Sequence, residues 1–196
     1  MLKLILASKS KWRKEIIEMA GFKCETFSSD VDENIEFDNP ENYVMNLSKM
    51  KAKAVAKKVD EGIIISADTI GYMDNEKFEK PKDRDEAFRN IKKLSGNVNY
   101  AVTGVTLIDK YKDKEVTFVE TAAVYFKAMT DEEINWYIDN EENVYESAVY
   151  SMETRASLFV TKVEGDYKSI IGLPINRIYD ELKNFGYNIN DFETVK

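Results

Sequence analysis

One segment, Gly62-Ile-Ile-Ile-Ser-Ala-Asp68, limits what this chain can fold into more than any other. It is apolar on both faces, and a strand of that kind has to be covered on both sides, so it belongs inside a sheet packed by helices. The flanking pattern supplies the cover. Leu4–Ala7 reads as a second buried strand, followed from Trp12 by apolar residues at Ile16, Ile17, Met19 and Ala20, with Gly21 placed to end a helix. Lys23–Phe27 reads as a third strand. Asn39 and Pro40 form an N-cap with proline in the first turn, opening a long helix to about Lys58 with Tyr43, Val44, Leu47, Lys51, Ala54 and Val55 near one face.

Beyond the central strand, Ile70–Tyr72 can extend the sheet and Met73–Glu79 reads as a polar loop. Asp83 and Glu86 cap a helix through Ala87, Ile91 and Leu94 that stops at Ser95-Gly96. Val98–Tyr111 and Glu115–Lys127 are long β segments joined by a hairpin at 112–114. Thr130 and Glu133 cap a short helix, and residues 140–155 lack a regular pattern. Leu158–Val163 and Tyr167–Ile171 read as final strands, and Pro174 opens a terminal helix to Gly186. Helices alternate with strands, while the adjacent long strands demand antiparallel pairing. The expected fold class is α/β with a mixed central sheet flanked by helices.

Composition narrows the chemistry. The 196 residues contain no histidine and one cysteine, Cys24, so histidine-based nucleophile systems, histidine metal sites and thiolate clusters are excluded. Acid–base work falls to carboxylates, lysines or tyrosines, and any metal to hard oxygen ligands of the kind Mg²⁺ prefers. A lone cysteine fits a reducing cytoplasm, and no stretch is long and apolar enough to span a membrane.

Ser8-Lys-Ser-Lys-Trp-Arg-Lys14 joins the first strand to the first helix. Within residues 1–23, six cations face two carboxylates, a net +4 in a chain of net −8. A helix start offers unpaired N–H groups to an anion. With Ser8, Ser10, Lys11 and Arg13 beside them, phosphate is the expected occupant; the alternative is a solvated face. A small anion suits this turn, whereas a long nucleic acid would be repelled by the acidic remainder. Asp68, at the end of the apolar strand, stands where open α/β sheets border ligands, and can either take a proton from water, hold a metal, or merely cap a turn. Asp32-Glu33 lies on an acidic loop that matters only if the loop folds over the basic turn. Lys51 sits on a helix face with its stem partly buried, and Lys80-Pro81 can aim an ammonium into a cleft. Leu94-Ser-Gly96 and Thr103-Gly104 supply small residues past which a ligand could approach the backbone. Arg155 and Arg177 carry no readable role. No P-loop or Gly-x-Gly-x-x-Gly pattern occurs.

Taken in order, Leu4-Ile-Leu-Ala-Ser-Lys-Ser10 with Arg13, Asp32-Glu33, Leu47 through Lys51-Ala52, Ala67-Asp-Thr69, Lys80-Pro81, Leu94-Ser-Gly96, Thr103-Gly104 and Gly165-Asp166 to Gly172-Leu-Pro174 resemble the Maf family of nucleoside triphosphate pyrophosphatases. The resemblance spans nearly the whole chain. It implies a single Maf-like domain over 1–196 with two lobes around a cleft, in the manner of Maf and ITPase proteins, and a homodimer. It also implies hydrolysis of a nucleoside triphosphate to the monophosphate and pyrophosphate with a divalent cation, Mg²⁺ or Mn²⁺. By the same resemblance Asp68 is the proton acceptor, Glu33 and Asp68 hold the metal, and Ser8, Arg13, Glu33, Lys51 and Lys80 line the triphosphate.

The departures carry information too. Lys11 and Trp12 replace a proline and an arginine of the family pattern, Asn99 replaces a histidine, and Glu79 a glycine. Ser147–Thr154 has lost two glycines and carries Glu153 in place of glutamine. Trp12, Thr69 and Glu153 fall where the family selects its base. Tryptophan with glutamate resembles the 7-methyl-GTP branch and makes a purine or 7-methyl-GTP the favoured expectation, because an indole face attracts a cationic base and a carboxylate accepts from guanine N–H groups. Thr69 instead resembles the dTTP/UTP branch, and broad specificity is the alternative. Trp12 also fits the helix core through its i, i+4 spacing to Ile16. The rival expectation is a nucleotide-binding regulator of cell division with weak turnover.

Overall fold

The computed structural model describes residues 1–145 and 150–195. Its strands are β1 (Leu4–Leu6), β2 (Cys24–Thr26), β3 (Ile63–Met73), β4 (Glu76–Lys77), β5 (Val98–Asp109), β6 (Lys114–Phe126) and β7 (Val160–Glu164). Its α-helices are α1 (Lys11–Met19), α2 (Pro40–Ala56), α3 (Arg84–Leu94), α4 (Asp131–Asn140), α5 (Tyr167–Ile171) and α6 (Ile175–Asn184). Strand order is β2-β1-β3-β5-β6-β7, with β4 pairing β3. β1 is parallel to β2 and to β3, whereas β3–β4 and β6–β7 are antiparallel. The mixed α/β architecture expected from the alternation is present.

The chain divides into two compact units. Unit 1 comprises Met1–Thr69, Thr103–Glu120 and Gly172–Lys196; unit 2 comprises Ile70–Val102 and Thr121–Ile171. In unit 1 the doubly apolar strand behaves as its composition requires: Ile63, Ile64, Ile65 and Ala67 are buried, with Ile64 packed among Ile5, Ala7, Ala52 and Val55. The helices begin where the caps predict. Asn39, Asp83 and Thr130 each accept the backbone N–H three residues on, and Thr130 with Glu133 completes a reciprocal capping box. Unit 2 is held by a core of Phe78, Ile91, Leu94, Phe126, Ile134, Tyr137 and Phe159, in which α3 packs on α4.

Several readings need correction. Tyr167–Ile171 is helix α5, not a strand, because Asp166 turns the chain: its carboxylate accepts from Lys168 N and its carbonyl from Ser169 N, the hydrogen bonds of a helix start. Ile70–Tyr72 extends the sheet as expected, carrying β3 past Asp68 to Met73, but part of the expected 73–79 loop is β4. Gly104 does not open the backbone to a ligand. A Cβ there would lie 2.4 Å from the carbonyl carbon of Val44, so the glycine lets α2 sit directly against β5. Ser95 is likewise structural, its hydroxyl exchanging hydrogen bonds with the backbone of Met129. Arg177, without a readable role in the sequence, pairs with Glu181 and Glu120 and lies over the Phe118 ring.

Candidate active site

The site is built in unit 1 from the end of β1 upward. The parallel ladder pairs Leu4–Leu6 with Ile63–Ile65 and closes with Ala7 N donating to Ile65 O. Asp68 therefore lies just beyond the carboxyl end of β1, level with the turn that starts at Ser8. The location expected for a strand-end carboxylate is kept, although its own strand runs on.

In that turn Ser10 is the N-cap of α1, its Oγ accepting from Arg13 N at 3.4 Å. Ser8 Oγ accepts twice, from Ser10 N at 3.1 Å and from Arg13 Nη1 at 3.4 Å, which leaves its own proton to be donated outward. Arg13 Nε donates to Gly172 O at 2.9 Å and Nη2 to Thr69 Oγ1 at 3.2 Å. Burial pulls the Arg13 guanidinium below its ordinary pKa, opposed by the charges of Asp68 and Glu33. Since the ordinary value lies far above neutrality, Arg13 remains a cation.

Lys51 projects from α2 into the same region, 7% exposed, and its Nζ stands 2.7 Å from Asp68 Oδ1 and 3.0 Å from Glu33 Oε2. Asp68 is 8% exposed, whereas the Glu33 side chain is more than half exposed. The acidic loop does fold onto the basic turn. At its start Asp30 takes a left-handed backbone (φ 48°) and its carboxylate pairs with Lys9 and Lys58, while Lys58 also donates to Ser28 O. Asp32 accepts from Asn34 N, an Asx turn that presents Glu33, and Phe37 packs edge-on against Tyr43 of α2. Long-range position, not local pattern, makes Glu33 part of the site.

Ser8, Ser10, Trp12, Arg13, Glu33, Lys51, Asp68 and Thr69 thus all belong to unit 1, and Trp12 is half-buried on α1. Lys80 and Glu153 belong to unit 2, both exposed; Lys80 precedes the buried Pro81 and the capped start of α3, and the charge of Glu153 acts on the Tyr167 hydroxyl. Of the altered loop, residues 147–149 lie outside the described residues. Two residues to which the sequence assigned no role at the site join it. Thr103 hydrogen-bonds Thr69 at 2.9 Å, and Gly172 supplies the carbonyl beneath Arg13.

The oxygen donors here are of the hard type. Among the described residues no cluster of three or more Cys, Asp or Glu is poised to hold a metal ion. Two carboxylates, Glu33 and Asp68, instead converge on one cation, the Lys51 ammonium. That set fits a divalent ion held by one or two carboxylates and completed by phosphate oxygens.

Residues 3–185 match the family model described as Maf-like protein. The chain belongs to the Maf family. Among curated Maf relatives, the dTTP/UTP pyrophosphatase of Carboxydothermus hydrogenoformans (strain ATCC BAA-161 / DSM 6008 / Z-2901) is 39% identical over 186 residues, 95% of this chain and all of that protein. That of Thermoanaerobacter sp. (strain X514) is 42% identical over 183 residues, 93% of this chain and 96% of its own. The fold of this Maf chain is also that of the Staphylococcus aureus Ham1 protein, at a TM-score of 0.52 and 11% identity, covering 93% of this chain and 99% of that one.

Proposed function

We propose that this Maf protein is a nucleoside triphosphate pyrophosphatase that cleaves the α–β anhydride to give the nucleoside monophosphate and pyrophosphate. The observation that carries the reading is the buried Lys51–Asp68 pair, with Glu33 beside it, next to the Ser8–Arg13 turn. The names of the relatives, dTTP/UTP pyrophosphatases over essentially their full length, support it. Asp68 accepts a proton from water as the water oxygen bonds to the α-phosphorus, and the bridging oxygen leaves with its electron pair on pyrophosphate. Ser8, Ser10, Arg13, Lys51 and Lys80 donate to the phosphate oxygens and offset the charge that grows on the leaving group. Glu33 and Asp68 would hold a divalent cation, Mg²⁺ or Mn²⁺, which neutralises phosphate charge when bound.

For the base, Thr69 and the names of the relatives favour dTTP and UTP. Trp12 and Glu153 favour 7-methyl-GTP as a second reading, through an indole face and a carboxylate that accepts from guanine N–H groups. We place the enzyme in the cytoplasm, where buried Cys24 stays reduced, as a homodimer without a membrane or long nucleic acid partner. The test is pyrophosphate release with Mg²⁺ or Mn²⁺ over dTTP, UTP, CTP, GTP and 7-methyl-GTP, with Asp68→Asn as control. Release by wild type that falls at least a hundredfold in the variant supports the assignment. Nucleotide binding without release on any substrate would instead support a non-hydrolytic regulator.

A further inference from the structure

Thr103 is fully buried on β5, and its hydroxyl lies 2.9 Å from Thr69 Oγ1. Thr69 is the same hydroxyl on which Arg13 Nη2 rests at 3.2 Å. A guanidinium N–H can only donate, so Thr69 Oγ1 must accept from Arg13, and the remaining freedom of that hydroxyl is the rotation Thr103 restricts. Beside Thr69 on the same edge of the guanidinium stands Gly172, buried at φ +115°, with its carbonyl 2.9 Å from Nε. A Cβ at Gly172 would lie 3.1 Å from Nε and 3.3 Å from both Nη2 and Thr69 Oγ1. There is no slack there, so the Nε–Nη2 edge of the Arg13 fork is held by the Gly172 carbonyl and the Thr69 hydroxyl side by side, while Nη1 donates to Ser8 Oγ.

We propose that Thr103 is a positioning residue: through Thr69 it fixes the orientation in which the Arg13 guanidinium is presented to the phosphates. The kinetic part of this inference rests on the pyrophosphatase reading; the orientation of Arg13 does not. A planar fork makes paired hydrogen bonds to phosphate only when its plane is aimed, so the loss of one buried hydroxyl in this relay reaches substrate without touching it.

Two measurements on the full chain test it. In the first, the Arg13 Nε–H resonance, assigned by its loss in Arg13→Lys, is followed by ¹⁵N NMR in Thr103→Val and Thr103→Ser. It is expected to shift and exchange faster with water in Thr103→Val and to stay near wild type in Thr103→Ser, which keeps the hydroxyl. An unmoved resonance in Thr103→Val, in a protein with an unchanged melting curve, overturns the inference whether or not the enzyme turns over.

In the second, a double-mutant cycle with Thr69→Val is read in kcat/KM for pyrophosphate release. Thr103→Val should lower kcat/KM about three- to tenfold in wild type, as one lost hydrogen bond allows, and by less than twofold when Thr69 is already valine. Equal losses in both backgrounds would show that Thr103 acts some other way. Absence of release by the unsubstituted protein sinks the pyrophosphatase reading and leaves the NMR result to decide the inference.

Discussion

Replacing Lys51 by methionine keeps most of the stem's volume and removes its charge, so it isolates what the ammonium does. Lys51 and Asp68 are 7% and 8% exposed and 2.7 Å apart. Without the cation the Asp68 carboxylate is left inside the protein, and breaking a buried pair in this way costs about 3–5 kcal/mol. Arg13, whose charge also acts on Asp68, offsets part of the loss and points to the lower end, about 3 kcal/mol. Glu33 adds under about 1 kcal/mol, because its half of the contact is solvated. For a chain of this size, about 3 kcal/mol corresponds to a melting temperature roughly 6–12 °C lower.

The chain has two tryptophans, Trp12 in unit 1 and Trp136 in unit 2. A Trp136→Phe background therefore lets fluorescence follow the unit that carries the pair. Urea unfolding at pH 7 of Lys51→Met, Asp68→Asn and the double variant closes the cycle. The double variant has neither charge and should be more stable than Lys51→Met alone, with a coupling of at least about 2 kcal/mol. Effects that add to within about 0.5 kcal/mol would refute the premise that these two charges compensate one another inside the protein.

Asp68→Asn should lower pyrophosphate release by roughly 10²–10⁴-fold while leaving the circular dichroism spectrum unchanged, measured at saturating nucleotide and metal. Gly104→Ala should destabilise the protein by about 3 kcal/mol in urea unfolding, because the new methyl meets the backbone of Val44 and Met45 rather than a side chain that can move. Asn99→Ala should cost about 2 kcal/mol and Tyr150→Phe less. The first removes both the acceptor of the Tyr150 hydroxyl, Asn99 Oδ1, and the donor to the Tyr72 carbonyl, Asn99 Nδ2; the second removes one hydrogen bond, leaving the buried Asn99 Oδ1 without that hydroxyl. Burial raises the Cys24 thiol to about 11. The unfolded chain therefore loses that proton first, and the share of stability held by Cys24 is complete below its unfolded pKa and disappears as pH climbs to about 11. Cys24→Ser should flatten that part of the pH–stability curve measured by urea unfolding, and native Cys24 should resist alkylation at pH 8 until urea exposes it.

Caps and apolar runs were legible because they act within a few residues. Asn39 with Pro40, Asp83 with Glu86 and Thr130 with Glu133 place three helix starts, and the isoleucines of β3 place the sheet's interior. α5 was misread because Ile170 and Ile171 look strand-like, while the signal that decides it is Asp166, one residue after a glycine in left-handed geometry. The candidate site was legible as a set of residue types but not as a set of contacts. Nothing in the spacing says that Glu33 reaches Lys51, that Thr103 reaches Thr69 across 34 residues, or that Gly104 faces a helix rather than a ligand. Those relations arise where distant segments meet, and a one-dimensional pattern holds no record of them.

The division of the chain into two units also sets a timetable for synthesis. Every residue of unit 2 has been made once Ile171 is added, whereas unit 1 still lacks its last segment from Gly172 onward. That segment carries the carbonyl under Arg13, and near its end Phe192 and Thr194 bridge to Leu2 and Phe22. Leu2 and Phe22 wait for Phe192 and Thr194, made much later, before they are fixed. During elongation, when domains fold as their segments emerge, unit 2 can consolidate while the basic turn stays unfinished. A nascent chain, or one cut short before Gly172, therefore carries every side chain of the Lys51–Asp68 cluster and still lacks the brace that aims its arginine.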